Sequence, residues 1–399
     1  MDRRRFLAGA VTGLSAAWAG CVGARVGSPE AATAQSSQGT ETPVPTVEEV
    51  AGTSLPLSEE ALTRGAPKDA IPAIVDPAFA PDWSDLEITF INRYGNEKVI
   101  QPRLNDEDRV IGVSRQGSAR AYPLKLLNWH EVVNDVFGGP LLVTFCPLCG
   151  SGVTAERRVQ GEPTVFGVSG LLWNSDLVMY DELTESLWSQ IAGAAVRGPM
   201  TGQRLKLVPS TITTWETWRT GHPDTQVLLP PPESSTVQGD DAIRNYTRSP
   251  YALYEDSEQI GIGANEVPDS EVDLHPKTQV LGVTDGDAAR AYPLEAVAEA
   301  GIVNERVGDR PVVVTATADD ETVVGYIRTV DGSVLRFERA SQTHLLAGGS
   351  RWEISTGRAV DGPHEGTQLR SASKRGQLFW FAWLDFHPNT TVYTGSGEE

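Results

Sequence analysis

Cysteine is scarce, with three residues in 399, so a framework of several disulfides is excluded and any thiol chemistry rests on Cys21, Cys146 and Cys149. Lysine is scarcer than arginine, supplying six of the 33 basic residues. Against 53 acidic residues they leave a formal charge of −20. The basic footprint that phosphate binding needs is missing, which argues against nucleic acid as a partner. An acid excess with little lysine instead resembles proteins of high-salt cytoplasms and surfaces, where charge repulsion is screened over short distances. Long apolar runs are missing too. Beyond the N-terminus no segment approaches the roughly 20 apolar residues of a membrane span.

What is present starts at the N-terminus. Arg3-Arg4-Arg5-Phe6-Leu7 fits the twin-arginine export pattern, and a short apolar run follows to Ala19. Ala19-Gly20-Cys21 resembles a lipobox, whose cysteine becomes the lipidated first residue of the mature chain. Trp18 departs from the aliphatic residue usual at its place, which leaves plain cleavage as the alternative. Residues 1–21 therefore read as a lipoprotein signal. Residues 22–56, rich in Ser, Thr, Ala, Gly, Glu and Pro, read as a disordered tether. The expectation is an extracytoplasmic protein anchored to a membrane through Cys21.

The rest of the chain repeats itself. VIGVSRQGSARAYPLKLLNWHEVVNDVFGGPLLVT at 110–144 returns as VLGVTDGDAARAYPLEAVAEAGIVNERVGDRPVVVT at 280–315. The frames lock at Gly112/Gly282, Tyr122/Tyr292, Asn134/Asn304 and Thr144/Thr315. Further on, Trp188 matches Trp352. The Trp215-x2-Trp218-x3-His222-Pro223 corner matches Trp380-x2-Trp383-x3-His387-Pro388. A recurrence of this length implies two tandem copies of one unit, over 57–232 and 233–399. Strand signals bounded by Gly, Pro and Asp dominate each copy, with short helices between them. The expected class is α+β, β-rich, with mostly antiparallel sheets. One helix is predicted from Pro123 to Phe137, stopping at Gly138.

Residues shared by the copies report the scaffold, and those in one copy only are the candidates for chemistry. His130 faces Ala300, Cys146 faces Thr317 and Cys149 faces Asp320, so every metal- or redox-competent member of this set is confined to the first copy. On the predicted helix, Leu126, Trp129, His130, Val133 and Phe137 form one apolar stripe, which points His130 inward. Taken alone, that also fits a core histidine hydrogen-bonded to a backbone carbonyl. Cys146-Pro147-Leu148-Cys149 is a knuckle that can present two sulfurs to one metal. With His130 they would make three ligands with a fourth position open, copper being the first choice and zinc close behind.

Two alternatives stay open. Cys146 would be a catalytic nucleophile or redox thiol with His130 as its base. Otherwise the chain is a structural or interaction scaffold stapled by a Cys146–Cys149 disulfide. Glu131, matched by Gly301, would support the site from behind. Asp176 and Asp181, aligned with Ala340 and Leu345, lie five apart on one strand and face opposite ways. At most one of the two aspartates can reach the cysteines.

The motifs NWHEVVNDVFGG, TFCPLCGSG, FGVSGLL, MYDELTESLWSQ and W-x2-W-x3-HP-x-T, in this order, resemble the exported proteins grouped as domain of unknown function 3179. The resemblance runs from about Ile71 to the C-terminus. It implies an extracytoplasmic setting and the same segments as the site, and no substrate.

Overall fold

The computed structural model describes residues 46–395 apart from 92–93, 256, 263–269, 271 and 318–321. The expected export signal, Cys21, residues 22–45 of the expected tether and Asp320 lie outside the described residues; later in the expected tether, Glu49–Val50 pairs with Thr53–Ser54 and Val50 is buried. Short strands paired almost throughout in antiparallel fashion make up the fold, with helices of seven residues or fewer between them. The reason is compositional. Gly, Pro and Asp interrupt the apolar alternation every few residues, so strands and tight turns form where long helices cannot.

The same order of elements appears twice. In the first half, Arg109–Arg115 pairs with Ser118–Pro123, flanked by Thr211–Thr214 on one side and, in parallel, by Gln226–Leu228 on the other. In the second half, Gln279–Asp285 pairs with Ala288–Pro293 between Leu378–Phe379 and, in parallel, Thr391–Val392. A short helix follows each hairpin, Leu124–His130 and Leu294–Ala300. A three-strand antiparallel ladder comes next: Val132–Val136, Pro140–Cys146 and Ser151–Glu156, then Ile302–Val307, Arg310–Ala316 and Val323–Ile327. Trp218 lies so close over Gly112, and Trp383 over Gly282, that a Cβ at either glycine would overlap the indole ring.

The helix expected over 123–137 ends at His130. Glu131 takes φ 56°, its N–H closing on Leu127 O at 2.8 Å, and the next five residues form a strand. Val132, Val133 and Val136 are β-branched, and pairing with Pro140–Cys146 rewards the extended form more than helix continuation would. The Gly138-Gly139-Pro140 connection therefore closes a hairpin between two strands.

Cross-strand pairing also shifts one alignment. Met179 stands opposite Trp188, and Leu345 stands opposite Trp352. The first hairpin loop is two residues longer, so by register Asp181 corresponds to Ala347 and Asp176 to Gln342. The pairing of Asp176 with Ala340 and Asp181 with Leu345 is off by those two residues. Neither true counterpart is a carboxylate.

The described residues form one compact unit. One core cluster joins Cys146, Cys149, Trp173 and Trp188 to Val280 and the helix Trp380–Phe386. The cysteine turn thus sits where the two halves pack.

Candidate metal centre

The cysteine turn is a four-residue connection across a register in which Cys146 pairs with Ser151. Cys149 N–H closes on Cys146 O at 3.2 Å, and Gly150 completes the reversal at φ 60°. The ring of Phe379 fills the space a Gly150 side chain would need, and Phe379 N–H donates to Cys149 O at 2.9 Å. Second-half backbone therefore fixes the first-half knuckle.

A second hairpin delivers the carboxylate. Phe166–Trp173 returns as Asp176–Asp181 through Asn174 and Ser175, both left-handed at φ 50° and 62°. A two-residue turn of that hand matches the right-handed twist of its strands. Ser175 O accepts from the Cys146 thiol at 3.6 Å. One residue on, Asp176 accepts from Ser189 Oγ at 2.6 Å and from Ile191 N–H at about 3.1 Å. The result is a group of three ligand atoms, the Cys146 and Cys149 sulfurs and an Asp176 oxygen, all within 4.8 Å of one another. Both cysteines are free and buried, and Asp176 is fully buried. Gln190 stands beside them, accepting from Ser151 Oγ at 2.8 Å and donating to Ser151 O at 2.9 Å.

Burial sets the electrostatics. It pushes the Asp176 carboxyl up to about 7, overriding the hydrogen bonds from Ser189 and the Ile191 and Gln190 amides. Burial likewise raises the Cys149 thiol, helped by its hydrogen bond with Cys146 and by the charges of Cys146, Asp176 and Asp385. Asp385, on the helix Trp380–Phe386, is itself pushed up to about 7 by burial alone. The Arg375 guanidinium, whose Nε donates to Ile191 O at 2.7 Å, works against the rise of Asp176. Burial thus favours the protonated forms of several acids in one place, and a bound cation would displace those protons.

The sequence placed three ligands here, and the structure brings two of them together. His130 is fully buried, as its stripe required, yet it lies outside the group. Its Nδ1–H donates to Pro72 O at 2.7 Å, which leaves Nε2 to accept from Tyr246 Oη at 2.9 Å. The lone pair a metal would use is occupied, and burial holds the ring neutral with its pKa near 4. Glu131 accepts from Tyr251 Oη at 3.3 Å, with burial raising its carboxyl to about 8. Asp181 faces the other way, accepting from Thr184 N–H and Oγ and from Trp188 Nε1, and serves its own turn.

Three contributors carried no repeat signal. Tyr246, Tyr251 and Tyr254 all belong to the segment joining the two halves, which folds back over the first. Tyr254 Oη donates to Leu148 O at 2.7 Å inside the cysteine knuckle. Aromatics in an otherwise polar connector were the available hint. A cavity of about 410 Å³ opens beside the knuckle, walled by Pro147, Gly150, Asn128 and Gln279. Asn128 Oδ1 and Gln279 Oε1 are buried there without hydrogen-bond partners among the described residues.

No described helix is long and apolar enough to cross a membrane. No curated protein and no solved structure matches this chain. A family model does match it, over residues 68–390, which takes in both halves and every residue of the sulfur–carboxylate group, and on that match the chain belongs to the family described as "Protein of unknown function (DUF3179)".

Proposed function

We propose that the protein is an exported module, tethered through Cys21, that holds one transition-metal ion at Cys146, Cys149 and Asp176. The observation that carries this reading is the meeting of two thiols and a fully buried carboxylate within 4.8 Å. Among the described residues the second half offers no such set, since Thr317 and Gln342 occupy the places of Cys146 and Asp176. Two thiolates with one carboxylate oxygen suit zinc, which accepts sulfur and oxygen together in a tetrahedron. Copper becomes the second choice, because an oxygen donor in place of imidazole makes the set harder. The cavity beside Pro147 and Gly150 would give a ligand access from outside.

Elemental analysis of the full chain purified without chelators tests this. We expect about one ion per chain in the wild type, none in Cys146→Ser/Cys149→Ser, and strongly reduced content in Asp176→Asn. His130→Ala should keep its metal if it folds. Equal, near-zero metal in the wild type and the double variant would end the proposal.

One observation favours a second reading, thiol redox chemistry at the same pair. A carboxyl titrating at about 7 stands against both sulfurs, where it can accept a thiol proton. A thiol count with and without chelator separates the two. Thiols that react only after chelation support the metal, and thiols that react equally in both support redox chemistry.

A further inference from the structure

A larger cleft, of about 800 Å³, lies between the twin hairpins, with Gly112 and Ser114 on one wall and Gly282 and Thr284 on the other. Arg310, Arg370, Lys374 and Arg375 line it, and no aspartate or glutamate does. That is an inversion of the chain's average, which has 53 acidic against 33 basic residues.

The four cations are not equally engaged. Arg310 is bonded to Asp285 at 3.0 Å, which spends much of its charge. Arg375 donates to the backbone carbonyls of Ile191 and Ala192 and forms no ion pair among the described residues. Arg370 and Lys374 are exposed, and neither forms an ion pair among the described residues. Ser210 Oγ, which also lines the cleft, is buried without a hydrogen-bond partner among the described residues.

We infer that this cleft binds a small anion carrying at least two oxyanion groups, carboxylate or phosphate. Guanidinium forks and an ammonium match carboxylate and phosphate oxygens, and a concave wall of one sign focuses its field on a ligand. The volume suits a metabolite-sized molecule. A nucleic acid would meet the net charge of −20 over the rest of the surface. The inference does not depend on metal binding at the cysteine turn.

Calorimetric titration of the full chain at low ionic strength tests it, with citrate, pyrophosphate and inorganic phosphate as probes and chloride as the control. We expect saturable one-to-one binding of citrate or pyrophosphate that tightens as salt is lowered. Whichever binds more tightly tells carboxylate from phosphate as the natural group. Arg370→Gln/Lys374→Gln should weaken it at least tenfold with an unchanged melting temperature, since both side chains are exposed. Arg375→Gln should also weaken it, with some loss of melting temperature because the side chain holds the Ile191 and Ala192 carbonyls, and Lys206→Gln, an exposed cation outside the cleft, should change nothing. No saturable binding by any of the three probes would overturn the inference. Binding that survives both cleft variants unaltered would overturn it equally.

Discussion

The two halves of this chain agree down to single hydrogen bonds where the scaffold is concerned. Asn134 donates to Phe166 O at 2.8 Å and accepts from Phe166 N–H at 2.7 Å, and Asn304 does the same to Phe337 at 2.8 and 2.9 Å. Trp218 and Trp383 each donate to a threonine at 2.9 Å, Thr225 and Thr390. His222 and His387 each lie with ring centroids 3.9 Å from the matched tryptophan, as expected of corner residues shared by both copies. Tyr122 donates to Asp135 and Tyr292 to Glu305. The halves part company at the turn between the second and third ladder strands and at the helix end before the ladder. There the first half carries Glu131, Cys146, Cys149 and Asp176, all buried, and the described counterparts are Gly301, Thr317 and Gln342. A shared frame with private polar groups at one place makes that place the candidate site, because burying acids costs stability that the scaffold copy does without.

Equality of the frames is the first thing to break. Gly112→Ala and Gly282→Ala should each destabilise by about 3 kcal/mol, since the added methyl must displace an indole in a packed core. Denaturant unfolding of both variants checks this. A loss of under about 1 kcal/mol at one site and not the other would mean the two tryptophan seats are not equivalent.

A smaller difference separates the matched ion pairs. Arg120 holds Asp135 at 2.6 Å with the carboxylate 4 % exposed, and Arg290 holds Glu305 at 2.7 Å with the carboxylate 14 % exposed. Losing one partner of a buried pair costs more than losing one near water. Asp135→Asn should therefore cost about 2 kcal/mol and Glu305→Gln about 1. Double-mutant cycles with Arg120→Gln and Arg290→Gln measure the two couplings, and the order of the two decides the point.

The smallest expected effect makes the first half resemble the second. Glu131→Gly removes a left-handed non-glycine residue whose counterpart, Gly301, sits at φ 73°. The relief is about 1 kcal/mol before the lost bond to Tyr251 is counted. The variant should also flatten a pH dependence. Burial raises the Glu131 carboxyl to about 8, above its usual value of 4.5, so folding favours its protonated form. That contribution is fully present below 4.5 and is lost as pH rises through 8. The gain in melting temperature of Glu131→Gly over the wild type should thus be larger at pH 8 than at pH 5. A constant difference across that range would show that Glu131 is not the group responsible.

Much of this was legible in the residues alone. The locked frames at Gly112/Gly282 and Asn134/Asn304 mark the positions where the scaffold contacts recur. The inward stripe buried His130, and strict alternation separated Asp176 from Asp181. Local periodicity misjudged the stretch after His130. Its apolar residues fit a helical face as well as a strand, and only partner strands decide between the two.

The chain's own pattern determined the β-rich antiparallel class, the recurrence, the cysteine knuckle and which half carries the private residues. Each of these depends on local chemistry or on comparing one segment with another. Tertiary structure alone decided which side chain joins the two sulfurs. His130 lies 16 residues before Cys146 and Asp176 lies 30 after it, so sequence distance favoured the histidine. The fold instead turns the His130 ring towards Pro72 and Tyr246, and it lays the Asn174–Ser175 turn against the knuckle. Those contacts are fixed by the packing of two hairpins and a connector from far along the chain, and no periodicity within either strand encodes them.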